Sequence, residues 1–355
     1  MTIKPGAFRF NTDSMKLEIF RGSANYNGSA SMAGIGTLAA GRWEEIQATS
    51  AEVQTGGTRA LLTGGYHPSN QYLDEIVFFN MATTGNSETF GELTIGDRNH
   101  VHANLSDRTR GISGGGSKAP GIITDDIEFV TIASTGNAAE FGDLSLARYC
   151  PGPAANSTRG IFAGGHSPAN AQTHNIDYIT IQASGKAQDF GDLTGPKRYI
   201  MGTFSSPTRG IFAGGANPVQ TTDIDFITTS TQGNGADFGD MNVGSQDGKG
   251  SITSNAIRGI IMGGTNPGAT ATIEYLTLST LGSPQDFGDL LTAGAYGAGA
   301  ASPTRCVKMG QGHPSYTNVI EYVQIMTLGD SIDFGDLNTQ VTGYPAGLSN
   351  GHGGL

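Results

Sequence analysis

The chain has 355 residues, of which 55 are glycine, about twice ordinary usage, and only 14 % are charged. No Gly-X-Y period is present, so collagen is excluded, and 37 % hydrophobic residues suffice for a packed core. The 31 acidic and 20 basic residues leave a net charge of -11, which argues against nucleic acid as a partner, since phosphate contacts need a basic face.

In chain order, residues 1–58 come first. The start, MTIKPGAFRF, has no signal-peptide core, and no window is long and apolar enough to span a membrane, so a protein folded in the cytosol without membrane insertion is expected. Phe8-Arg9-Phe10 and Leu17 to Phe20 read as short strands. Trp43-Glu44-Glu45-Ile46 reads as another. The two cysteines, Cys150 and Cys306, lie far apart in unlike contexts and are expected as free thiols.

Residues 59–337 hold a repeat. Phe-Gly-Asp/Glu-Leu/Met recurs at Phe90, Phe141, Phe190, Phe238, Phe287 and Phe334, in steps of 47 to 51 residues. Five residues before each phenylalanine stands a glycine (Gly85, Gly136, Gly185, Gly233, Gly282, Gly329), as a tight turn with positive φ requires. Twelve residues before it stands an aromatic in a strand-like run, preceded by an acid in five of six copies, as in Asp177-Tyr178. Further upstream an arginine (Arg59, Arg110, Arg159, Arg209, Arg258, Arg305) leads an apolar run into a double glycine, replaced by Gly310-Gln311 in the sixth copy. With a weaker segment before each arginine, the unit contains four short strands and no helical periodicity. That pattern predicts an all-β propeller.

Residues 338–355 read as an inner strand followed by a truncated double-glycine strand. Their pairing with Phe8–Phe10 and Leu17–Phe20, with Trp43 as a further outer strand 47 residues before Phe90, predicts a seventh blade completed from both termini. The alternative is six blades plus an N-terminal hairpin.

The stretch from turn glycine to phenylalanine never changes length. The arginine-to-aromatic interval, by contrast, is 19 residues in the first three copies and 17 in the last three, and the interval from phenylalanine to the next arginine also varies. In an up-and-down blade these two variable connections emerge on one face, where recognition on a rigid scaffold is expected. The candidate recognition residues are therefore Tyr66, His67, Asn70, Tyr72, His166, Asn170, Asn217, Asn266, His313 and Tyr316, donors, acceptors and aromatic faces with almost no charge. They suit a neutral glycan or a protein surface.

Catalytic patterns are missing: there is no His-Glu-x-x-His, Gly-x-Ser-x-Gly or P-loop. A non-enzymatic protein without cofactor or metal is expected. The ring of acids at Glu92, Asp143, Asp192, Asp240, Asp289 and Asp336 reads as turn caps or as partners of arginines such as Arg98, Arg148 and Arg198. His100 and His102 read as a surface pair.

The arginine, the double-glycine strand, the acid-aromatic strand and the outer aromatic with leucine three residues on resemble the kelch repeat, with phenylalanine where kelch blades carry tryptophan. Pro5-Gly6-Ala7-Phe8-Arg9-Phe10-Asn11-Thr12 with Leu17-Glu18 and Trp43 resembles a module of bacteriophage tail and baseplate proteins, apart from an insertion from about Ala24 to Ala40. The blades and the ending Leu-Ser-Asn-Gly-His-Gly-Gly-Leu resemble glycine-rich, kelch-like virion proteins of phages of marine bacteria, notably cyanobacteria. The resemblance implies a structural protein of the particle, assembled in the host cytoplasm, without saying which part of it; a tail-associated protein is expected, with other virion proteins and a host-surface glycan or protein as partners. A decoration protein without a receptor and a carbohydrate-active enzyme are the alternatives.

Overall fold

β-Branched and aromatic residues on both faces of each short run, punctuated by glycine, build sheets whose two faces are both buried. In Ile176 to Ile181, Ile176 and Tyr178 pack toward the blade that follows, while Ile179 and Ile181 pack toward the one before. In a computed structural model of the chain the described residues are 8–11, 16–21, 42–45, 57–67, 71–94, 98–100, 102–118, 121–169, 171–200, 202–217, 219–242, 251–265, 268–338 and 343–355. Among them there is no helix.

The chain divides into two units, Met1–Val53 and Gln54–Leu355. In the first, Phe8–Asn11, Lys16–Arg21 and Arg42–Glu45 form a three-stranded antiparallel sheet, with Phe8 opposite Ile19, Phe10 opposite Leu17 and Phe20 opposite Trp43.

The second unit is a six-bladed propeller of four-stranded antiparallel sheets. Blade 1 has, from the axis outward, Ala346–Ser349, Arg59–His67, Gln71–Asn80 and Glu88–Glu92. Blade 2 runs from Ala103–Ser106 to Ala139–Asp143, blade 3 from Gly152–Ala155 to Gln188–Asp192, and blade 4 from Gly202–Ser205 to Ala236–Asp240. Blade 5 runs from Ser251–Ser254 to Gln285–Asp289 and blade 6 from Ala298–Ala301 to Ile332–Asp336. Six apolar clusters fill the six gaps between neighbouring blades, including the gap from blade 6 back to blade 1.

The expected seventh blade is therefore corrected to six. Ala346–Ser349 pairs with Arg59–His67, with Ala346 opposite Thr63 and Ser349 opposite Ala60, and so supplies the inner strand that blade 1 lacks. With that edge filled, the ring needs nothing from Phe8–Phe10 or Leu17–Phe20, and Arg42–Glu45 belongs to the separate sheet. The alternative of an N-terminal hairpin falls one strand short of that sheet.

Two sets of contacts repeat around the ring and explain the motifs. Each repeat arginine lies over its own blade's aromatic, 3.9 to 4.9 Å from the ring centre. Its Nη1 donates to a carbonyl of the following blade, from Arg59 to Ala133 through to Arg305 to Met81, which closes the circle. The same aromatic meets the motif phenylalanine edge-on, as Tyr178 meets Phe190 at 6.0 Å. Each turn glycine then donates its N–H to the motif phenylalanine carbonyl of the preceding blade, at 2.8 to 3.0 Å. A change of one residue in that turn would lose the bond, which explains its invariant length.

The second motif glycine is required by close approach. Gly191 has φ +145°, and a Cβ there would stand 2.6 Å from the Gly233 carbonyl oxygen of the next blade. No L side chain fits that position without moving a backbone.

Candidate functional site

The loops after the double glycines and the blade-to-blade connections share one face, as the spacing implies, and are bonded together there. The connection entering a blade bridges that blade's own loop at Tyr66 and Gly343, Tyr149 and His166, Arg198 and Ala216, and Ala295 and His313. The loop also meets the outgoing connection: Gly116 N–H donates to Arg148 O at 2.9 Å, Gly165 to Lys197 O at 2.8 Å and Gly264 to Gly294 O at 2.9 Å.

The acids of the third strands anchor the same connections. Arg148, fully buried, meets Asp177 at 2.8 Å and donates to Asn175 O and Phe162 O, while Ser145 also donates to Asp177. Lys197 meets Asp225 at 2.9 Å, with Thr194 on the same carboxylate. Thr94 binds Glu128, Asn242 binds Glu274 and the Leu291 N–H binds Glu321. Burial lowers the Arg148 and Lys308 pKa values, opposed in each case by the acid beside it, Asp177 or Glu321. Arg148 thus serves Asp177 of the next blade, which corrects the expectation that it pairs with the outer-strand acid ring. Among those outer acids, the backbone N–H groups of Glu92, Asp192, Asp289 and Asp336 donate to Asn137, Asn234, Asp330 and Asn86, while the Asp192 carboxylate meets His174 and that of Asp240 accepts from Thr222. The side chain of Arg98 lies outside the described residues.

Above this layer the connections turn into the innermost strands through a left-handed residue. In the four blades where that turn is described, it is Cys150, Tyr199, Tyr296 or Tyr344, with φ between 52° and 66°. These four are the only described non-glycine residues with positive φ. Glycine or asparagine occupies such a conformation with less strain, yet three of the four are tyrosines in a chain rich in glycine.

The tyrosines gather with neighbouring rings around the axis. The Tyr149 and Tyr199 hydroxyls lie 3.2 Å apart, and His166 meets Tyr149 edge-on at 4.9 Å between ring centres. Tyr296 packs on Tyr344 at 4.5 Å, and His313 meets Tyr296 at 90°. Ile200, Gly297 and Pro345, which follow Tyr199, Tyr296 and Tyr344 in the chain, line one channel, so the two groups of rings converge on it. Burial, first, and the neighbouring tyrosine, second, hold the Tyr199 and Tyr344 hydroxyls protonated far above the ordinary tyrosine range. Arg198 lies over the Tyr199 ring at 5.2 Å.

Beneath the rings the six inner strands enclose a channel of about 120 Å³, lined by Pro153, Ile200, Gly297 and Pro345 near the tyrosines and by Ser205, Ser254 and His352 toward its other end. His102 and Asn104 form its polar wall. His102 is buried and shares a 2.6 Å hydrogen bond with Thr63, which also accepts from Asn104. This corrects the reading of His102 as a surface residue; the side chain of His100 lies outside the described residues. Residues 350–355 cross the far end of the inner strands, where Gly353 N–H donates to Ser254 O and His352 Nε2 bonds Ser106 O at 2.7 Å.

Of the expected recognition residues, Tyr66 and His67 are half-buried at the end of a blade 1 strand, His166 is 4 % exposed beside Tyr149, His313 is half-buried against Tyr296, and Tyr316 is 42 % exposed. Tyr72 pairs with Tyr66 in register and Asn217 lies in a short hairpin, but their side chains are outside the described residues, as are Asn70, Asn170 and Asn266. His166 and His313 are thus brought to the rings of Tyr149 and Tyr296. Sequence reasoning missed Tyr149, Tyr199, Tyr296 and Tyr344. The available signal was a tyrosine shortly before each of several inner strands, in the variable connection already assigned to this face.

Among the described residues one carboxylate group could hold a metal ion, Asp125, Asp126 and Asp143. Lys118 stands 3.7 Å from Asp126 and Thr124 bonds the same carboxylate, so its charge is partly met by the protein. Compared with known proteins, the sequence matches no family model and no curated relative.

Proposed function

We propose that this propeller is a non-enzymatic, kelch-like structural protein of a bacteriophage particle, tail-associated, which holds the connection face against a host surface or a partner protein. The observation that carries the reading is the division of labour between faces. One face is locked by the arginine and turn-glycine bonds repeated in every blade; the other carries the connections that vary in length together with a cluster of rings. The phage assignment rests on the resemblance of the blades to kelch-like virion proteins, and the tail placement on the resemblance of residues 5–43 to a module of tail and baseplate proteins. No nucleic-acid partner is proposed, given the net charge of -11.

Immunogold labelling of intact particles tests the location, with label on the tail expected and label absent from every particle overturning the assignment. Adsorption of particles carrying Tyr66→Ala with His67→Ala tests the recognition role. Reduced adsorption is expected, and unchanged adsorption across all connection-face variants would contradict it.

Attachment to another virion protein is favoured by a different feature. The residue before the repeat arginine is threonine in five blades and Ile257, 54 % exposed, in blade 5. Next to it across the blade boundary lie exposed Met326 and Leu328; at these two positions the other blades carry alanine, serine, threonine or glutamine, except for exposed Leu281 of blade 5.

A further inference from the structure

The mouth of the central channel, rather than the loop tips, is where the ring-bearing side chains converge. Tyr199, Tyr296 and Tyr344 occupy left-handed backbone that favours glycine, so their side chains are present despite a conformational penalty. Their rings offer flat apolar faces, and burial keeps the Tyr199 and Tyr344 hydroxyls neutral. Beside them, two polar atoms are buried without a hydrogen-bond partner: Arg198 Nε, next to Tyr199, and His313 Nδ1, next to Tyr296. Burying such atoms unpaired is costly unless another molecule meets them.

The chemistry narrows the occupant. The carboxylates nearest the connections are committed to Arg148 and Lys197, so the site presents aromatic faces and neutral donors and acceptors, with Arg198 its main positive charge. A channel of about 120 Å³ admits no folded partner, so what meets its mouth is a small group or the end of a chain. A ring with hydroxyls on its rim and C–H groups on its face fits both the stacking surfaces and the unpaired donors.

We propose that the channel mouth, framed by Tyr199, Tyr296 and Tyr344, binds the terminal residue of a neutral saccharide. This rests on the host-recognition reading above and assigns it a ligand class and a place.

Saturation-transfer NMR on the full chain with methyl glycosides of glucose, galactose, mannose and N-acetylglucosamine tests it. At least one is expected to bind, with a dissociation constant of about 1 mM, weakened about tenfold by Tyr199→Phe through the loss of one hydroxyl. Tyr344→Gly is expected to abolish binding, since the backbone there suits glycine while the platform is removed; a thermal melt confirms that it folds. No saturation transfer from any of the four, or equal binding by wild type and both variants, overturns the proposal. Whole-cell adsorption separates the two readings. Adsorption that depends on Tyr66 and His67 without glycoside binding leaves host recognition standing and removes the saccharide site. Glycoside binding with adsorption indifferent to every variant does the reverse.

Discussion

Arg209 shows how one side chain couples two blades: its guanidinium lies 4.9 Å over the Phe226 ring and donates to the Leu278 carbonyl of the next blade at 3.1 Å. The cation–π contact contributes about 0.5–1 kcal/mol and a hydrogen bond from a charged group about 1.5–3 kcal/mol. Arg209→Ala is therefore expected to lower unfolding free energy by about 2 kcal/mol in urea titration, with Arg209→Lys losing less because it keeps the charge over the ring. Glycine is tested by a pair of substitutions. Gly191→Ala meets a backbone oxygen at φ +145° and is expected to destabilise by more than about 1 kcal/mol, whereas Gly195, with nothing within 4 Å of a Cβ, should accept alanine with little change.

At the scale of elements, the connections between blades are held by buried ion pairs and by the tail that crosses the inner strands. Lys308 stands 3.4 Å from Glu321, which also accepts from Ser331 and the Leu291 N–H. Lys308→Met leaves that carboxylate buried and is expected to cost about 3–5 kcal/mol, most of it recovered in the double variant with Glu321→Leu. A double-mutant cycle in denaturant measures the coupling. In the tail, His352 Nδ1 accepts the Gly354 N–H while Nε2–H donates to Ser106 O, and burial lowers its pKa, against smaller raising effects of the Ser106 bond and Asp107. Below the ordinary histidine pKa of about 6.5 the unfolded chain takes up a proton that the native chain resists. Stability is then complete above that pH and falls as the pH drops toward the lowered value. Thermal melts at pH 7.5 and 5.5 are expected to show a larger loss for wild type than for His352→Gln.

For the whole molecule, closure depends on ten residues. Ala346–Ser349 pairs with the second strand of blade 1, and residues 350–355 cross the inner strands toward Ser106 and Ser254. Deleting residues 346–355 leaves the Arg59–His67 edge open and blade 1 without its inner strand. Loss of a cooperative thermal transition and a shift to aggregates in size-exclusion chromatography are expected. An unchanged melting profile would show that the ring holds without this strand.

The repeat alone specified much of this: strand positions, the turn glycines and the division into a constant and a variable face all follow from short-range spacing, because each blade reuses one set of local bonds. The number of blades did not, because it depends on whether Ala346–Ser349 meets Arg59–His67 or the N-terminal strands, and both pairings satisfy the same alternation of residues. The site was legible in part: His166 and His313 were expected on the right face, but their neighbours Tyr149 and Tyr296 come from connections that only the ring brings beside them. The left-handed backbone of Tyr199, Tyr296 and Tyr344 is set by how each connection must turn into the crowded axis. Convergence from several blades on one axis is a property of the closed ring, and no single repeat contains it.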